Sequence, residues 1–304
     1  MFDIITIGSA TIDVFIKTEE KIKKHKNNKN ICYHLGEKEL IDKIYFSTGG
    51  FGTNTAVALS KLGLRTGFIG VIGTDINGET ILKELYEEGV EFLGVVREGN
   101  SGYSIILMGD NDRTILSYKG VNNLLDLRCI NLTKIKTNWL FLGTMLNRSF
   151  NTIKEIARFG KENKIKIAAN ISLYLAEYGV KKLSSYLKCL DIIILNKEEL
   201  FALTNKRDIK ESFYMLKKYS KGIFVVTDGA NPCYAFDGAK VHKKVVKKIK
   251  PIDMTGAGDA FASGFIYGII KNRSIETCLD YGCLEASAVI NKIGAKNGLL
   301  SELR

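Results

Sequence analysis

The second half of this chain dictates its architecture. From Trp139 onward, short apolar runs rich in β-formers alternate with segments of helical spacing. Trp139–Leu142 reads as a strand, followed by a helix over about Phe150–Asn163. Ile165–Ala169 is the next expected strand, with a helix over Lys181–Cys189. Asp191–Leu195 follows as a strand, then helical segments to Tyr219 and a strand at Gly222–Thr227. Tyr234–Phe236 and Val241–Lys250 are expected as later strands, and helices over Ala257–Ile270 and Ile275–Ile293 close the pattern. Strands joined by helix-length crossovers pair in parallel, and a parallel sheet needs helices on both faces. The expected fold is a doubly wound α/β sheet, whose ligands bind at the carboxyl ends of its strands.

The first half fits the same scheme with two departures. Ile4–Gly8 reads as a buried strand ending in the small-residue turn Gly8-Ser9-Ala10. Thr55–Leu62 has helical spacing and a C-terminal Gly63; Gly67–Ile72 reads as a strand, and Gly78–Glu88 as a helix closed by Gly89. Residues 14–48 and 101–120 break the alternation. Lys38–Ser47 is strand-like, Lys23–Asn30 reads as a polar loop tip, and Ser104–Met108 with Thr114–Tyr118 flank the turn Gly109-Asp110-Asn111-Asp112-Arg113. The two stretches are expected to pair into a small β-lid over a core of residues 1–13, 49–100 and 121–304. A chain of 304 residues suits one large domain with such an appendage. With Pro232 and Pro251 as the only prolines, no rigid linker divides it.

Composition narrows the classes. Hydrophobic residues make up 45% and charged residues 25%, as in an ordinary globular chain. No stretch approaches 18 uncharged apolar residues. The N-terminus carries Asp3 and Asp13 and no basic region, so it reads as a first strand and not as a signal peptide. None of the six cysteines forms a C-x-x-C pair, and a cytoplasmic protein with reduced thiols is expected. The net charge of +11 includes two lysine-rich runs, Lys17–Lys29 and Lys240–Lys250. Such runs read as solvated surface, and a basic field also attracts anionic substrates. A nucleic-acid-binding protein is the rival from another class, but the runs lack interleaved aromatics.

The chemistry concentrates in Asp253-Met254-Thr255-Gly256-Ala257-Gly258-Asp259-Ala260-Phe261, which opens an apolar helix. Gly256, Ala257 and Gly258 let backbone N–H groups approach an anion at the positive end of the helix. Asp259 falls in the first turn, where a carboxylate can take the proton of an attacking hydroxyl. A lone G-x-G-D is explained equally well as a helix start with Asp set against the dipole. The longer string is far more specific. No G-x-x-x-x-G-K-[ST] is present, and no G-x-G-x-x-G follows the first strand, which disfavours P-loop and dinucleotide-binding proteins.

The string closely resembles the C-terminal signature of ribokinase-like (phosphofructokinase B-type) carbohydrate kinases. Ser47-Thr48-Gly49-Gly50-Phe51-Gly52-Thr53-Asn54-Thr55-Ala56-Val57-Ala58 resembles their N-terminal signature, and the likeness continues through Gly70-Val71-Ile72-Gly73-Thr74-Asp75-Ile76-Asn77-Gly78. The resemblance implies ATP-dependent phosphorylation of a primary hydroxyl on a sugar or sugar-like molecule, with Asp259 as base. It implies sugar binding by Asp13, Gly49, Gly50 and Asn54. Asn196 and Glu199 would organise Mg²⁺, mainly through water, around the ATP phosphates; Thr227 and Gly229, with Asp228 between them, would meet the nucleotide. Asp253 and Thr255, with carbonyls near Val289, Lys292 and Gly294, resemble a site for K⁺. By spacing alone, Asn196 and Glu199 read as a helix cap with acidic first-turn residues, and Gly49-Gly50 with Asn54 as a turn and cap.

Four positions depart from the family pattern. Phe51 stands where ribokinases proper carry a lysine, which weakens the case for ribose. Pro232 replaces a glycine after Thr227, Cys283 an asparagine near the adenine, and Gly298 a serine of the cation site. A nucleoside acceptor stays open, with Tyr45, Phe51, Tyr103 and Tyr118 as candidates to sandwich a base. A non-catalytic sugar sensor is a further reading, opposed by the intact Asp259 and glycine-rich anion site. Members of the family often dimerise through the lid, so a homodimer is an additional expectation.

Overall fold

The computed structural model describes residues 1–18, 22–25, 28–109, 113–132 and 135–303. In chain order, β1 (Phe2–Ile7) is followed by β2 (Thr11–Thr18), β3 (Ile41–Gly49), α1 (Phe51–Lys61), β4 (Thr66–Ile69), α2 (Ile76–Glu87), β5 (Gly102–Met108) and β6 (Arg113–Tyr118). Next come β7 (Thr137–Leu142), α3 (Asn147–Glu162), β8 (Lys166–Asn170), β9 (Ile192–Asn196), α4 (Lys197–Thr204), β10 (Ile223–Thr227), β11 (Cys233–Phe236) and β12 (Val241–Lys244). The helices α5 (Ala257–Ile270) and α6 (Ile275–Val289) complete the series.

The main sheet runs β12-β11-β10-β9-β8-β7-β1-β4, with the two-residue strand Glu91–Phe92 at its far edge. Pairing is parallel from β10 to that edge, and antiparallel for β11 and β12. The order turns at β1, which has β7 on one side and β4 on the other. Alternate residues of each central strand feed two cores. Ile5, Leu140, Leu142, Ile193 and Leu195 pack with Ile153 and Ile156 of α3 on one face. Ile4, Phe141, Ile192 and Ile194 pack with Phe261 and Phe265 of α5 on the other. Strands buried on both faces must be apolar throughout, which is why their sequences read as continuous hydrophobic runs.

A separate sheet has the order β6-β5-β2-β3. β2 pairs antiparallel with β3 and parallel with β5, so strands from both of the stretches that break the alternation share one sheet. The sheet begins earlier than expected, at Thr11, and extends to Gly49.

Several expected boundaries are corrected. Ile22–His25 and Asn28–Ile31 pair as a short antiparallel ribbon within the stretch read as a loop tip; residues 26 and 27 lie outside the described residues. The hairpin turn at Asp110–Asp112 also lies outside them. Gly67–Ile72 is two strands, because the chain leaves the main sheet at Gly70 and Val71–Gly73 pairs with Val95–Arg97. The helix expected at Lys181–Cys189 is replaced by two single turns, Gly179–Lys182 and Ser184–Leu187, that meet at Leu183; a further turn, Leu173–Ala176, precedes them, and Gly179 stands at φ 72. α1 starts at Phe51, before the expected Thr55, and the strand expected to Lys250 stops at Lys244. The last helix ends at Val289, short of Ile293.

Candidate active site

The two signature segments, far apart in sequence, meet at one point. Asn54 lies in α1 and Asp259 in the first turn of α5; Asn54 Nδ2 donates to Asp259 Oδ2 at 2.8 Å. Asn54 Oδ1 is buried and has no partner among the described residues, so it can still accept a hydroxyl. Burial pushes the Asp259 carboxyl up to about 6, and the nearby Asp13 adds to this; the Asn54 bond and the charge of Lys296 oppose it. The result is a carboxylate ionised at neutral pH yet basic enough to take a proton.

The glycines around this point are dictated by close contacts. A Cβ at Gly49 would lie 2.0 Å from Asp13 Oδ2, and one at Gly256 would lie 2.4 Å from Ala295 Cβ. Gly256 adopts φ 79 at the start of α5, and no side chain caps that helix. Ala257 N donates to the Met254 carbonyl at 3.3 Å, and a Cβ at Gly258 would face open space at this positive helix end. Asp13 is 5% exposed and accepts from Thr11 Oγ1 at 2.9 Å; burial raises its pKa, against bonds from Thr11 and Ser104. A cavity of about 250 Å³ adjoins the carboxylate, lined in part by Ser9, Phe51, Lys119, Asn123, Tyr174 and Asp259.

Two lysines in this region escaped the sequence reading. Lys296 is 6% exposed, and its Nζ bonds Glu84 and lies 3.4 Å from Thr53 Oγ1. Burial lowers its pKa, which Glu84 and Asp13 counteract. Lys119 stands at the end of β6 and lines the cavity. Among 44 Lys and Arg residues, neither carries a signal that sets it apart in sequence.

The nucleotide-side candidates collect at the carboxyl ends of β9 and β10, where Asn196 and Thr227 are direct neighbours. Asn196 caps α4: its side chain accepts from Glu199 N at 2.8 Å, and Glu199 Oε2 accepts from Asn196 N at 2.7 Å. The helix-cap reading of these residues is thus realised in the fold. Burial still raises the Glu199 carboxyl to about 7, with Glu198 and Asp259 contributing repulsion. A carboxylate so placed favours a cation beside it, which fits Mg²⁺ arriving with phosphates and water. Among the described residues no cluster of three His, Cys, Asp or Glu side chains could hold a metal alone. Asp228 pairs with Lys197 at 2.8 Å, while Gly229 adopts φ 57 and faces open space.

In the loop before α5, the Asp253 carboxylate accepts from Thr255 N and Gly294 N, both at 2.9 Å. Thr255 Oγ1 is buried without a partner among the described residues, and oxygen donors of this kind suit K⁺. A Cβ at Gly298 would lie 2.2 Å from the Ala288 carbonyl oxygen, so no serine side chain fits there. Phe51 packs edge-on against Phe141 at 4.9 Å. Cys283 lies 3.6 Å, Sγ to Sγ, from Cys233. The four aromatic candidates do not form one cage. Tyr103 and Tyr118 are cross-strand partners on the sheet face bearing Ile12, whereas Tyr45 lies on the face bearing Asp13.

A doubly wound sheet with a second small sheet and an uncapped glycine-rich helix start beside a buried aspartate is the architecture of a small-molecule phosphotransferase. The model of the pfkB family of carbohydrate kinases matches residues 1–302, and the chain belongs to that family. It is 31% identical to a ribokinase from Lactococcus lactis, over all of this chain and 96% of that protein. It is 28% identical to a 5-dehydro-2-deoxygluconokinase from Halalkalibacterium halodurans, over 99% of this chain and 92% of the other. The structure of an adenosine kinase from Sinorhizobium meliloti superposes with a TM-score of 0.84 at 22% identity, covering 97% of this chain and 95% of the other, and shows the shared ribokinase-like fold. The protein is therefore a carbohydrate kinase of the sugar and nucleoside kinase group, and its family implies the use of ATP. No described helix is long and apolar enough to cross a membrane.

Proposed function

We propose that the protein phosphorylates a primary hydroxyl of a sugar or sugar-like acceptor, with Asp259 as general base. The observation that carries this reading is the Asn54–Asp259 hydrogen bond, which joins the two signature segments beside the 250 Å³ cavity. The acceptor is held by Asp13, by Asn54 Oδ1 and by the backbone at Gly49 and Gly50. Asp259 takes the hydroxyl proton as the oxygen attacks the γ-phosphorus, and ADP leaves. The N–H groups at Gly256, Ala257 and Gly258 meet the charge on the transferred phosphoryl. Thr227 and Gly229 face the nucleotide. Mg²⁺, held through water by Asn196 and Glu199, neutralises phosphate charge when bound. The small sheet acts as a lid that keeps water from the phosphoryl group. The Asp253–Thr255 loop takes K⁺, so activity rises when K⁺ replaces a bulky organic cation.

The test is ATP consumption against pentoses, hexoses and nucleosides, with Asp259→Asn as control. Turnover that survives in the control would remove the assigned base. A nucleoside acceptor is the second reading, favoured by Phe51 and Tyr174 in the cavity wall; turnover with nucleosides alone would select it. The lid also offers a surface for a second copy. Ile44, Phe46, Leu116 and Tyr118 share one face and are 48%, 67%, 52% and 56% exposed. Sedimentation should show a dimer that Phe46→Glu dissociates.

A further inference from the structure

We propose that Cys283 and Cys233 form an oxidation site for hydroperoxides, in which Cys283 reacts first and Cys233 closes a disulfide that weakens ATP binding. The disulfide is independent of the kinase reading above; its effect on ATP rests on that reading.

The two thiols come from different elements. Cys233 opens β11 and Cys283 lies within α6, 50 positions later, yet their sulfurs are 3.6 Å apart. No other pair of the six cysteines is in hydrogen-bond contact among the described residues. The pair stands on the nucleotide wall. Tyr234, the residue after Cys233, pairs with Val226, so Cys233 lies beside Thr227 at the carboxyl end of β10. The turn between them carries Asp228 and Gly229 and is closed by Asn231 N, which donates to the Asp228 carbonyl at 2.9 Å. A disulfide needs about 2 Å between its sulfurs. Closing the gap draws β11 and α6 together and pulls on the turn that faces the nucleotide.

Exposure assigns the order of events. Cys233 is 1% exposed, whereas Cys283 is half-buried and open to a small oxidant. The hydrogen bond from Cys233 pushes the Cys283 thiol down, and the charge of Lys244 adds to this, against burial and Asp280. The same bond and burial push the Cys233 thiol up. Cys283 is therefore the thiolate of the pair, and the thiolate is the nucleophile. It attacks one peroxide oxygen; the O–O bond breaks, and the other oxygen leaves as water or an alcohol with a proton from solvent. Cys283 is now a sulfenic acid. The Cys233 sulfur then attacks the Cys283 sulfur, the S–O bond breaks, and the hydroxide leaves as water with the Cys233 proton. Two electrons pass from the thiols to the hydroperoxide, which is the oxidant consumed. Burial raises the thiols of Cys189 and Cys278, and neither has a partner sulfur among the described residues.

The experiment treats the reduced full-length protein with hydrogen peroxide. Its disulfides are mapped by mass spectrometry of unreduced peptides, and Mg-ATP binding is measured by calorimetry before and after. The wild type should show a Cys233–Cys283 cross-link and a Kd for ATP raised by about 5- to 150-fold, the usual span of coupling between sites. Dithiothreitol should reverse both. Cys233→Ser should stop at a sulfenic acid on Cys283 that dimedone labels. Cys283→Ser should leave Cys233 unoxidised and its own ATP affinity unresponsive to peroxide. Peroxide that leaves both thiols free, or links other cysteines, overturns the assignment, and this wild-type map does not depend on either variant folding. Dimedone label on Cys233 in Cys283→Ser refutes the order of reaction. A cross-link with unchanged ATP affinity refutes the coupling while leaving the kinase reading intact. Reduced protein that binds no ATP removes the kinase reading and the coupling together, and the peptide map still decides the thiol pair.

Discussion

The proposed acceptor and nucleotide walls of the cleft differ in how their polar groups are partnered, although burial also raises the Glu199 pKa on the nucleotide side. On the acceptor wall, Asp13, Lys296 and Asp259 are withdrawn from water and act on one another, and each has a pKa displaced by burial. On the nucleotide wall, Asn196 and Glu199 are occupied in a capping box, and Asp228 with Lys197 forms a part-exposed ion pair. The first wall is set before any ligand binds. The second consists of helix and strand ends whose polar groups have local partners and must exchange them for phosphate and cation. Changes on the acceptor wall should therefore strike chemistry, and those on the nucleotide wall should strike local stability and ATP affinity.

The largest expected effect is that of Asp259→Asn. Its kcat should fall by about 10²- to 10⁴-fold, the range for a lost general base. The same variant should not be less stable. The Asp259 pKa of about 6 lies above the ordinary carboxylate value, so the fold favours the protonated form. Ionisation then disfavours the folded state increasingly as pH rises from the ordinary value through 6. Melting curves should show the variant gaining on the wild type at pH 8 and losing that gain near pH 4. A variant that melts far below the wild type at pH 8 would break the idea that burial strains this carboxylate.

Next in size is a pair of glycine substitutions, one on each wall. Gly49→Ala drives a methyl onto Asp13, and crowding of this kind costs about 1–3 kcal/mol. The acceptor KM should rise by at least tenfold. Gly229→Ala meets no atom within 4 Å and bears only the strain of its positive φ, about 1 kcal/mol. Equal effects on acceptor KM from both would erase the contrast.

Asn54→Ala should act through Asp259. Removing the donated hydrogen bond raises the carboxyl further, so the ascending limb of the pH profile of kcat/KM should move above about 6. An unmoved limb would assign it to another group. The smallest effect belongs to Asn196→Ala, which removes the cap of α4 at about 1 kcal/mol. If melting falls by that amount while KM for ATP stays constant, Asn196 is a cap alone.

Much of the site was legible because its residues are ones that only special geometry demands. Gly256 at positive φ and the Gly49-Gly50 pair against Asp13 and Ser9 leave no room for a side chain, so glycine had to be written there. The alternation from β7 onward was legible because strands buried on both faces need unbroken apolar runs. Lys119 and Lys296 were not legible, since lysine is abundant in this chain and its role depends on whether a carboxylate stands nearby. The helix expected over Lys181–Cys189 was misread: the chain there forms the single turns Gly179–Lys182 and Ser184–Leu187, which meet at Leu183. Leu173–Ala176 and Gly179–Lys182 pack beside α4, whereas Ser184–Leu187 packs against α3, so tertiary contacts divide the run.

What the sequence determined by itself was local: the periodicities that become strands and helices, and the turns that only glycine can make. Those follow from backbone sterics and side-chain volume within a few residues. Tertiary structure alone decided the chemistry of the charged groups. It carried Asn54 to Asp259 across 205 positions, paired Lys296 with Glu84 and set Lys119 at the cavity wall. Basicity depends on solvent exclusion and on partners a few ångströms away, and neither exists until the chain has closed on itself.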